Sequence, residues 1–385
     1  MRNDPLPDRP IPVLRPLLPT ASRLLPYLQR IDATRVYANW GPLVLELSDR
    51  LCTAFALPPG SVTCANSGMG ALMGGILATA GLAKPQRRLA LMPDFTFSAT
   101  GLAAQLCGYE PLLVSSSRQT WTFDPRQLLN RPELLAQVGI VVPVAPFGRL
   151  DGLADWEAFR DATGIPVVID AAACFEVFER GGVPVGAVPM VLSFHATKSF
   201  GTGEGGCVLT TDNQLAEKLL QCLNFGFAGT RNTALPSLNG KMAEYAAAVG
   251  LAELDSWEDK RKNFERVSGL YRAAFAAKGI ANRFWNSPEI SSSYVLLECA
   301  DSRASIALGT ALAERGIETR LWYGEGLGGH DAFSDCPRLQ LHGSDALDPG
   351  TLLGLPSAVD LTEVEIGRIA LAVSQSLEPE ATVSR

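Results

Sequence analysis

Early in the chain, Leu43, Val44, Leu47, Leu51 and Phe55 recur at helical spacing, with Glu46, Asp49 and Arg50 on the opposite face. Gly41-Pro42 starts this helix and Pro58-Pro59-Gly60 ends it. A weaker helical pattern over 20–30, carrying Leu24, Leu25 and Leu28, follows a proline-rich start. Further on, the period alternates. Apolar runs at 61–65, 88–93, 111–114, 140–144 and 166–170 predict strands, and stretches at 66–80, 94–107 and 153–163 predict helices. Two more strand-like runs, 188–194 and 207–211, flank a turn crowded with small residues, and Asp212 is placed to cap a helix over 214–223. Such alternation predicts an α/β fold, a mostly parallel sheet with helices on both faces.

The second half is less regular. Residues 225–237 lack periodicity and predict a long loop. A helical pattern then runs from 241 to about 270. Residues 280–375 predict a smaller α+β unit: strand 292–298, helix 305–316, an irregular stretch over 322–354 and helix 362–376. The expected organisation is an N-terminal arm (1–40), a large domain (41–257) and a small C-terminal domain (258–385).

Composition narrows the function classes. Hydrophobic residues make up 47% and charged residues 19% of 385, a globular balance. The net charge is 33 − 40 = −7 with scattered Lys and Arg, which argues against a nucleic-acid surface. No signal peptide is evident, and the longest small-apolar stretch, 71–83, is too short to span a bilayer, so a cytoplasmic protein away from membranes is expected. Eight cysteines without a C-x-x-C pair predict buried free thiols, and His195, His330 and His342 form no metal-ligand spacing with them.

The chemistry centres on Lys198, set on the small-residue turn Ser193-Phe194-His195-Ala196-Thr197-Lys198. A lysine becomes a catalyst when it forms a Schiff base or gives up its proton. Asp170 ends a predicted strand, at the sheet edge where α/β proteins bind ligands. A lysine for an aldehyde and an acid for a pyridinium nitrogen are what pyridoxal 5'-phosphate (PLP) requires. The turn Asn66-Ser67-Gly68-Met69-Gly70 opens a helix and offers backbone N–H groups to a phosphate, although these glycines serve equally for close helix packing. Phe97 stands at another strand-to-helix turn, either stacked on a planar ligand or in the core. Gly201-x-Gly203-x-x-Gly206 matches a dinucleotide fingerprint but leads into a strand, the wrong context. Ser193 and Lys198 are not in S-x-x-K spacing, which disfavours a Ser–Lys hydrolase.

Asp170-Ala171-Ala172, Ser193-Phe194-His195-x-Thr197-Lys198 and Gly203-Glu204-Gly205-Gly206 together resemble the DegT/StrS family of PLP-dependent aminotransferases. Further similar segments, in the same order, are Gly41-Pro42-Leu43-Val44, Pro93-x-Phe95-Thr96-Phe97-x-Ala99-Thr100, Asn239-x-Lys241-Met242-x-Glu244 and Leu355-Pro356, so the resemblance covers roughly 40–375. It implies a fold-type-I transferase in which Lys198 carries PLP as a Schiff base and shuttles a proton. Asp170 would pair with the pyridine nitrogen and Phe97 stack on the ring. Ser193, with the backbone of Gly68 and Met69, would hold the phosphate. Asn239 would reach the neighbouring subunit's cofactor, implying a homodimer with shared active sites. The implied reaction moves an amino group, from L-glutamate as the expected donor, to a nucleotide-linked keto-sugar in amino-sugar biosynthesis.

The chain departs from the family pattern in three places. Ala173 stands where the family usually has a Gln contacting the PLP hydroxyl, Met69-Gly70 replaces Thr-Ser, and Lys241 replaces a common Arg. A PLP lyase and a PLP-binding regulator without turnover are the alternatives these departures motivate. His195 matches a family position without an assigned role. The loop 225–237, with Arg231, and residues 320–330 are candidate substrate-facing surfaces.

Overall fold

The computed structural model describes residues 9–286 and 290–377. The first seven strands are β1 (Val62–Ala65), β2 (Leu89–Pro93), β3 (Glu110–Val114), β4 (Val138–Val141), β5 (Ile169–Asp170), β6 (Met190–Ser193) and β7 (Gly206–Leu209). Backbone bridges Val141–Val167 and Val144–Asp170 join β4 to β5, giving one sheet of order β1-β7-β6-β5-β4-β2-β3. All neighbours are parallel except β7, which is antiparallel to both β1 and β6. The segment 194–205 forms a turn and not a crossover helix, so the chain returns antiparallel there.

Two apolar layers sandwich this sheet. Leu43, Leu47 and Leu51 pack with Leu91, Ile169, Leu192 and Leu209 on one face. Ile76, Ala103, Ala104 and Leu223 pack with Met92, Ile140, Val168 and Val191 on the other. Strands covered on both faces account for the near-continuous apolar runs in the sequence.

The C-terminal part builds a second sheet from β8 (Phe284–Trp285), β9 (Val295–Glu298), β10 (Arg320–Leu321) and β12 (Leu352–Leu355), antiparallel in the order β10-β12-β9-β8. Tyr271, Phe275, Leu312, Ile369 and Val373, from three helices, bury one face of it. Between its last two strands in sequence, β11 (Arg338–Leu339) crosses back and pairs with β3, extending the large sheet by one parallel edge strand. At the other end of the chain, Ile11 and Leu14 bridge Ile317 and Ser357, stitching the N-terminal arm to the C-terminal part.

The helical pattern expected from 241 to about 270 is two helices, Glu244–Asp255 and Trp257–Ala277. Ser256 separates them. Its hydroxyl donates to the carbonyls of Ala252 and Glu253 at 2.9 and 3.3 Å, competing with the helix's own ladder. All eight cysteines are unpaired, and all but Cys336 are buried. Among the described residues, no helix is long and apolar enough to cross a membrane, and no cluster of His, Cys, Asp and Glu is placed to hold a metal ion.

Candidate active site

The site lies at the carboxyl ends of β1, β2, β5 and β6, where the strand-to-helix connections after β1, β2 and β5 meet the turn after β6. Asp170 ends β5 and is only 7% exposed. Its Oδ2 accepts from the Thr100 hydroxyl at 2.7 Å, and its Oδ1 from the Ala172 N–H at 3.2 Å. Thr96 stands behind, 2.8 Å from Thr100. Burial pushes the Asp170 carboxyl above its ordinary value, while Thr100, Ala172 and the charge of Lys198 pull the other way. A buried carboxylate held by two neutral donors gains most from a cation nearby.

Lys198 is placed by the turn that reverses the chain between β6 and β7. Phe194 N donates to Gly205 O, Ala196 N to Gly203 O, and Lys198 N to His195 O, at 2.8, 2.9 and 2.9 Å. Gly203 takes φ +86°, a left-handed conformation that suits glycine. The Lys198 Nζ donates to the hydroxyl of Tyr294 at 2.9 Å. Burial works against the ammonium, but Tyr294 and Asp170 outweigh it and hold Lys198 above its ordinary value.

The phosphate-sized cradle lies beside β6. Helix Gly68–Thr79 starts after Ser67, whose Oγ accepts from the Gly70 N–H at 2.9 Å. The N–H groups of Gly68 and Met69 have no intrahelical partner at this end. A Cβ on Gly68 would lie 2.7 Å from Ser193 Cβ and 2.8 Å from its Oγ, and one on Gly206 would lie 2.9 Å from Gly68 N. These two glycines therefore let the helix start approach Ser193, so a hydroxyl and free N–H groups converge as an anion needs. Phe97 caps helix Ser98–Leu106 with its ring 60% exposed, whereas Phe95, two residues earlier, is buried. The ring of Phe97 is thus free to stack on a planar group rather than filling the core.

The sequence profile of the DegT/DnrJ/EryC1/StrS aminotransferase family matches residues 21–374. The chain belongs to that family. Protein Rv3402c of Mycobacterium tuberculosis H37Rv is 30% identical over 322 residues, 81% of this chain and 76% of that protein. A dTDP-4-amino-4,6-dideoxy-D-glucose transaminase of Shigella dysenteriae is 30% identical over 269 residues, 69% of this chain and 70% of that enzyme. Among solved structures, a putative PLP-dependent aminotransferase from Bacillus cereus ATCC 10987 superposes with a TM-score of 0.84 at 29% identity, covering 95% of this chain and all of that one. The protein is accordingly a PLP-dependent aminotransferase with the fold-type-I architecture its motifs implied.

Within this DegT/DnrJ/EryC1/StrS chain the remaining motif residues fall in three groups. Asn239 is exposed and lies beside the Asn66–Gly70 turn of its own chain, its backbone carbonyl accepting from Asn66 Nδ2 at 3.1 Å. Lys241 Nζ bridges Asn239 Oδ1 and Asn224 Oδ1, both at 2.8 Å, and sits 4.4 Å from the Phe225 ring centroid. Burial lowers its ammonium below the ordinary value. His195 is exposed, its Nδ1 2.7 Å from Thr197 Oγ1, an arrangement that braces the turn. Ala173 is buried in an aromatic wall with Phe95, Phe147, Trp121 and Tyr294. Of the two candidate substrate-facing surfaces, Arg231 is exposed on its loop, and Trp322 and Tyr323 join that wall beside Tyr294 and Phe147.

Two parts of the site were not read from the sequence. Thr96 and Thr100 lie four residues apart at a helix start, the spacing that brings their hydroxyls together and leaves Thr100 to meet Asp170. Tyr294 falls within the predicted strand 292–298. Its signal is the hydroxyl run Ser291-Ser292-Ser293-Tyr294 ahead of an apolar strand, since hydroxyls in a row at a buried position need partners.

Proposed function

We propose that this aminotransferase moves an amino group from L-glutamate to a nucleotide-linked keto-sugar, yielding 2-oxoglutarate and an amino-sugar nucleotide. The observation carrying this reading is Lys198 within the electrostatic reach of Asp170 at one sheet edge, beside the Gly68–Ser193 cradle. The residues present fit PLP: a buried carboxylate with no ion-pair partner among the described residues, an exposed aromatic ring, and a cradle that a single Cβ would fill. PLP, when bound, supplies an aldehyde to accept the nitrogen and a pyridinium ring to take up the electron pair released at the substrate carbon.

The chain's residues divide the remaining work. Lys198 Nζ holds the aldehyde carbon, and once free it is the base placed to take the donor's α-proton and hand it back. Asp170 holds the proton on the ring nitrogen. Phe97 fixes the ring plane, and Ser193 with the N–H groups of Gly68 and Met69 holds the phosphate. Asn239, exposed beside its own phosphate turn, is assigned to the partner subunit's cofactor, which makes the working unit a homodimer. The chain is assigned an arm (1–40), a large domain (41–257) that carries Lys198 and Asp170, and a small C-terminal domain (258–385). The Shigella relative, a dTDP-sugar transaminase, supports a nucleotide-linked sugar as acceptor.

The test is a visible absorption spectrum of the purified protein with PLP, before and after L-glutamate, with 2-oxoglutarate measured in parallel. The expected result is loss of the bound-PLP band with one 2-oxoglutarate released per site. A band that glutamate leaves unchanged overturns the donor assignment, and no band at all overturns the reading of the site.

A further inference from the structure

We propose that Tyr294 is a further catalytic residue: its hydroxyl orients Lys198 Nζ, accepting from the nitrogen while it is an ammonium and donating to it once it is a neutral amine. The inference rests on the assignment of Lys198 as the nitrogen that holds the cofactor.

The geometry is that of a fixed hydroxyl facing a mobile amine. Tyr294 is 7% exposed, and among the described residues the Lys198 Nζ, at 2.9 Å, is the one hydrogen-bond partner of its hydroxyl. The ring is clamped edge-on between Phe147, with centroids 5.1 Å apart, and Trp322, at 5.3 Å. Its backbone is held from both parts of the molecule. Tyr294 N donates to Ser291 O at 3.0 Å, and Ser291 N to Phe147 O at 2.7 Å. Glu176, 1% exposed, accepts from Ser292 N at 2.9 Å, from Ser292 Oγ at 2.6 Å and from Ser291 Oγ at 3.2 Å. The hydroxyl therefore cannot follow the lysine; the lysine must come to it. A four-carbon side chain with one polar partner loses its rotamer freedom to that partner, which is how a base is kept aimed at a reacting atom.

The charges around Nζ make Tyr294 the group to remove. Asp170 acts on Lys198 through space, and burial keeps both the Cys174 thiol and the hydroxyl of Tyr323, behind Tyr294, protonated. On the arm side, Arg15 and Lys260 line the same small cavity as Lys198, but each is paired, with Glu365 and Glu253. Deleting the Tyr294 hydroxyl takes an acceptor from the ammonium, so Nζ loses its proton at lower pH.

The test uses the full chain freed of PLP. PLP is added across neutral to alkaline pH, the reaction is quenched with borohydride at set times, and the phosphopyridoxyl group on Lys198 is quantified by mass spectrometry. In this step the neutral Nζ lone pair bonds the aldehyde carbon, water leaves, and borohydride hydride reduces the resulting C=N. For Tyr294→Phe, which keeps the ring and its packing, the pH midpoint of capture should fall by about one unit or more, the loss of one charge-assisted hydrogen bond. The limiting rate at high pH should fall roughly tenfold, because the amine is no longer aimed. Tyr323→Phe removes a neighbouring hydroxyl that does not touch Lys198 and should leave the midpoint in place; thermal unfolding of both variants reports whether the wall is intact. If Tyr294→Phe captures PLP with the wild-type midpoint and rate, the proposal is overturned while the assignment of Lys198 stands. If the wild type carries no adduct on Lys198, that assignment falls, and the proposal with it.

Discussion

The hydroxyl of Thr100 donates to Asp170 Oδ2 across 2.7 Å, both groups buried, with Thr96 2.8 Å behind it. The contribution of Thr100 is to favour the ionised form of Asp170 against burial, which favours the neutral carboxyl. Thr100→Val keeps the shape and removes the donor. Loss of a hydrogen bond to a charged group costs about 1.5–3 kcal/mol, so PLP should bind at least roughly tenfold more weakly while the fold is retained. Titration of the PLP-free protein with PLP, followed by the visible band, measures this.

Lys198→Ala removes the amine that meets Tyr294 and faces Asp170. Transamination should fall by about a thousandfold or more, the scale of a lost general base at a carbon acid. The measurement is 2-oxoglutarate release in single turnover, with the variant preloaded with cofactor so that binding is not limiting. Near-normal turnover would sink the mechanism.

The sheet and the two central residues were legible because each leaves a local mark. Buried parallel strands leave apolar runs, and a catalytic lysine on a small-residue turn stands out among scattered charges. What stayed hidden depends on distant pairing. Nothing near Tyr294 in the sequence says that it meets Lys198, 96 positions away. The return of Arg338 and Leu339 to the edge of β3 is equally non-local, and only two residues long. Ser256 splits one helical pattern into two because its hydroxyl finds helix carbonyls, an event periodicity does not register.

Glu244 illustrates a residue whose motif was visible and whose reason was not. It is 1% exposed, and its two oxygens accept from Leu43 N and Val44 N, each at 2.9 Å. A carboxylate 200 residues downstream thus caps helix Pro42–Ala54, whose Gly41 cap position offers no side-chain acceptor. Gly41 is required there, since a Cβ would fall 2.7 Å from Glu244 Cδ and 2.6 Å from Val36 Cγ1. Glu244→Ala should cost about 2 kcal/mol of stability. Gly41→Ala should cost a similar amount by displacing the same carboxylate. Both are read as a lowered midpoint in equilibrium urea unfolding with unchanged slope.

Ala173 sits in the aromatic wall with Phe147 and Tyr294, where the family commonly carries a longer polar side chain. Ala173→Gln adds volume and an amide to a packed apolar cluster, and overpacking costs typically about 1–3 kcal/mol. The variant should melt at lower temperature and capture PLP more slowly, because the new side chain displaces Tyr294. A variant as stable as wild type, with faster capture, would show the wall to be loosely packed.

The N-terminal arm carries the pH dependence that can be signed. Arg15 Nη1 and Nη2 reach the two oxygens of Glu365 at 3.0 and 3.3 Å, and Thr362 N donates to Glu365 Oε2 at 2.8 Å. Burial opposes ionisation of Glu365, but the Thr362 N–H and the Arg15 guanidinium outweigh it and hold the carboxyl below its ordinary value. A depressed carboxyl adds stability that is fully present above its unfolded value, about pH 4.3, and is lost as pH falls through the folded value. Hydrogen exchange over residues 9–20 should therefore stay slow at neutral pH and accelerate once the solution is acidified below about pH 4.3. Glu365→Gln removes the titrating group and half of the ion pair. The arm of that variant should exchange faster at neutral pH already, with the acid step flattened, while the backbone bridge of Leu14 to Ser357 keeps it from detaching altogether. An unchanged acid step in the variant would move the pH sensitivity of the arm to another carboxylate.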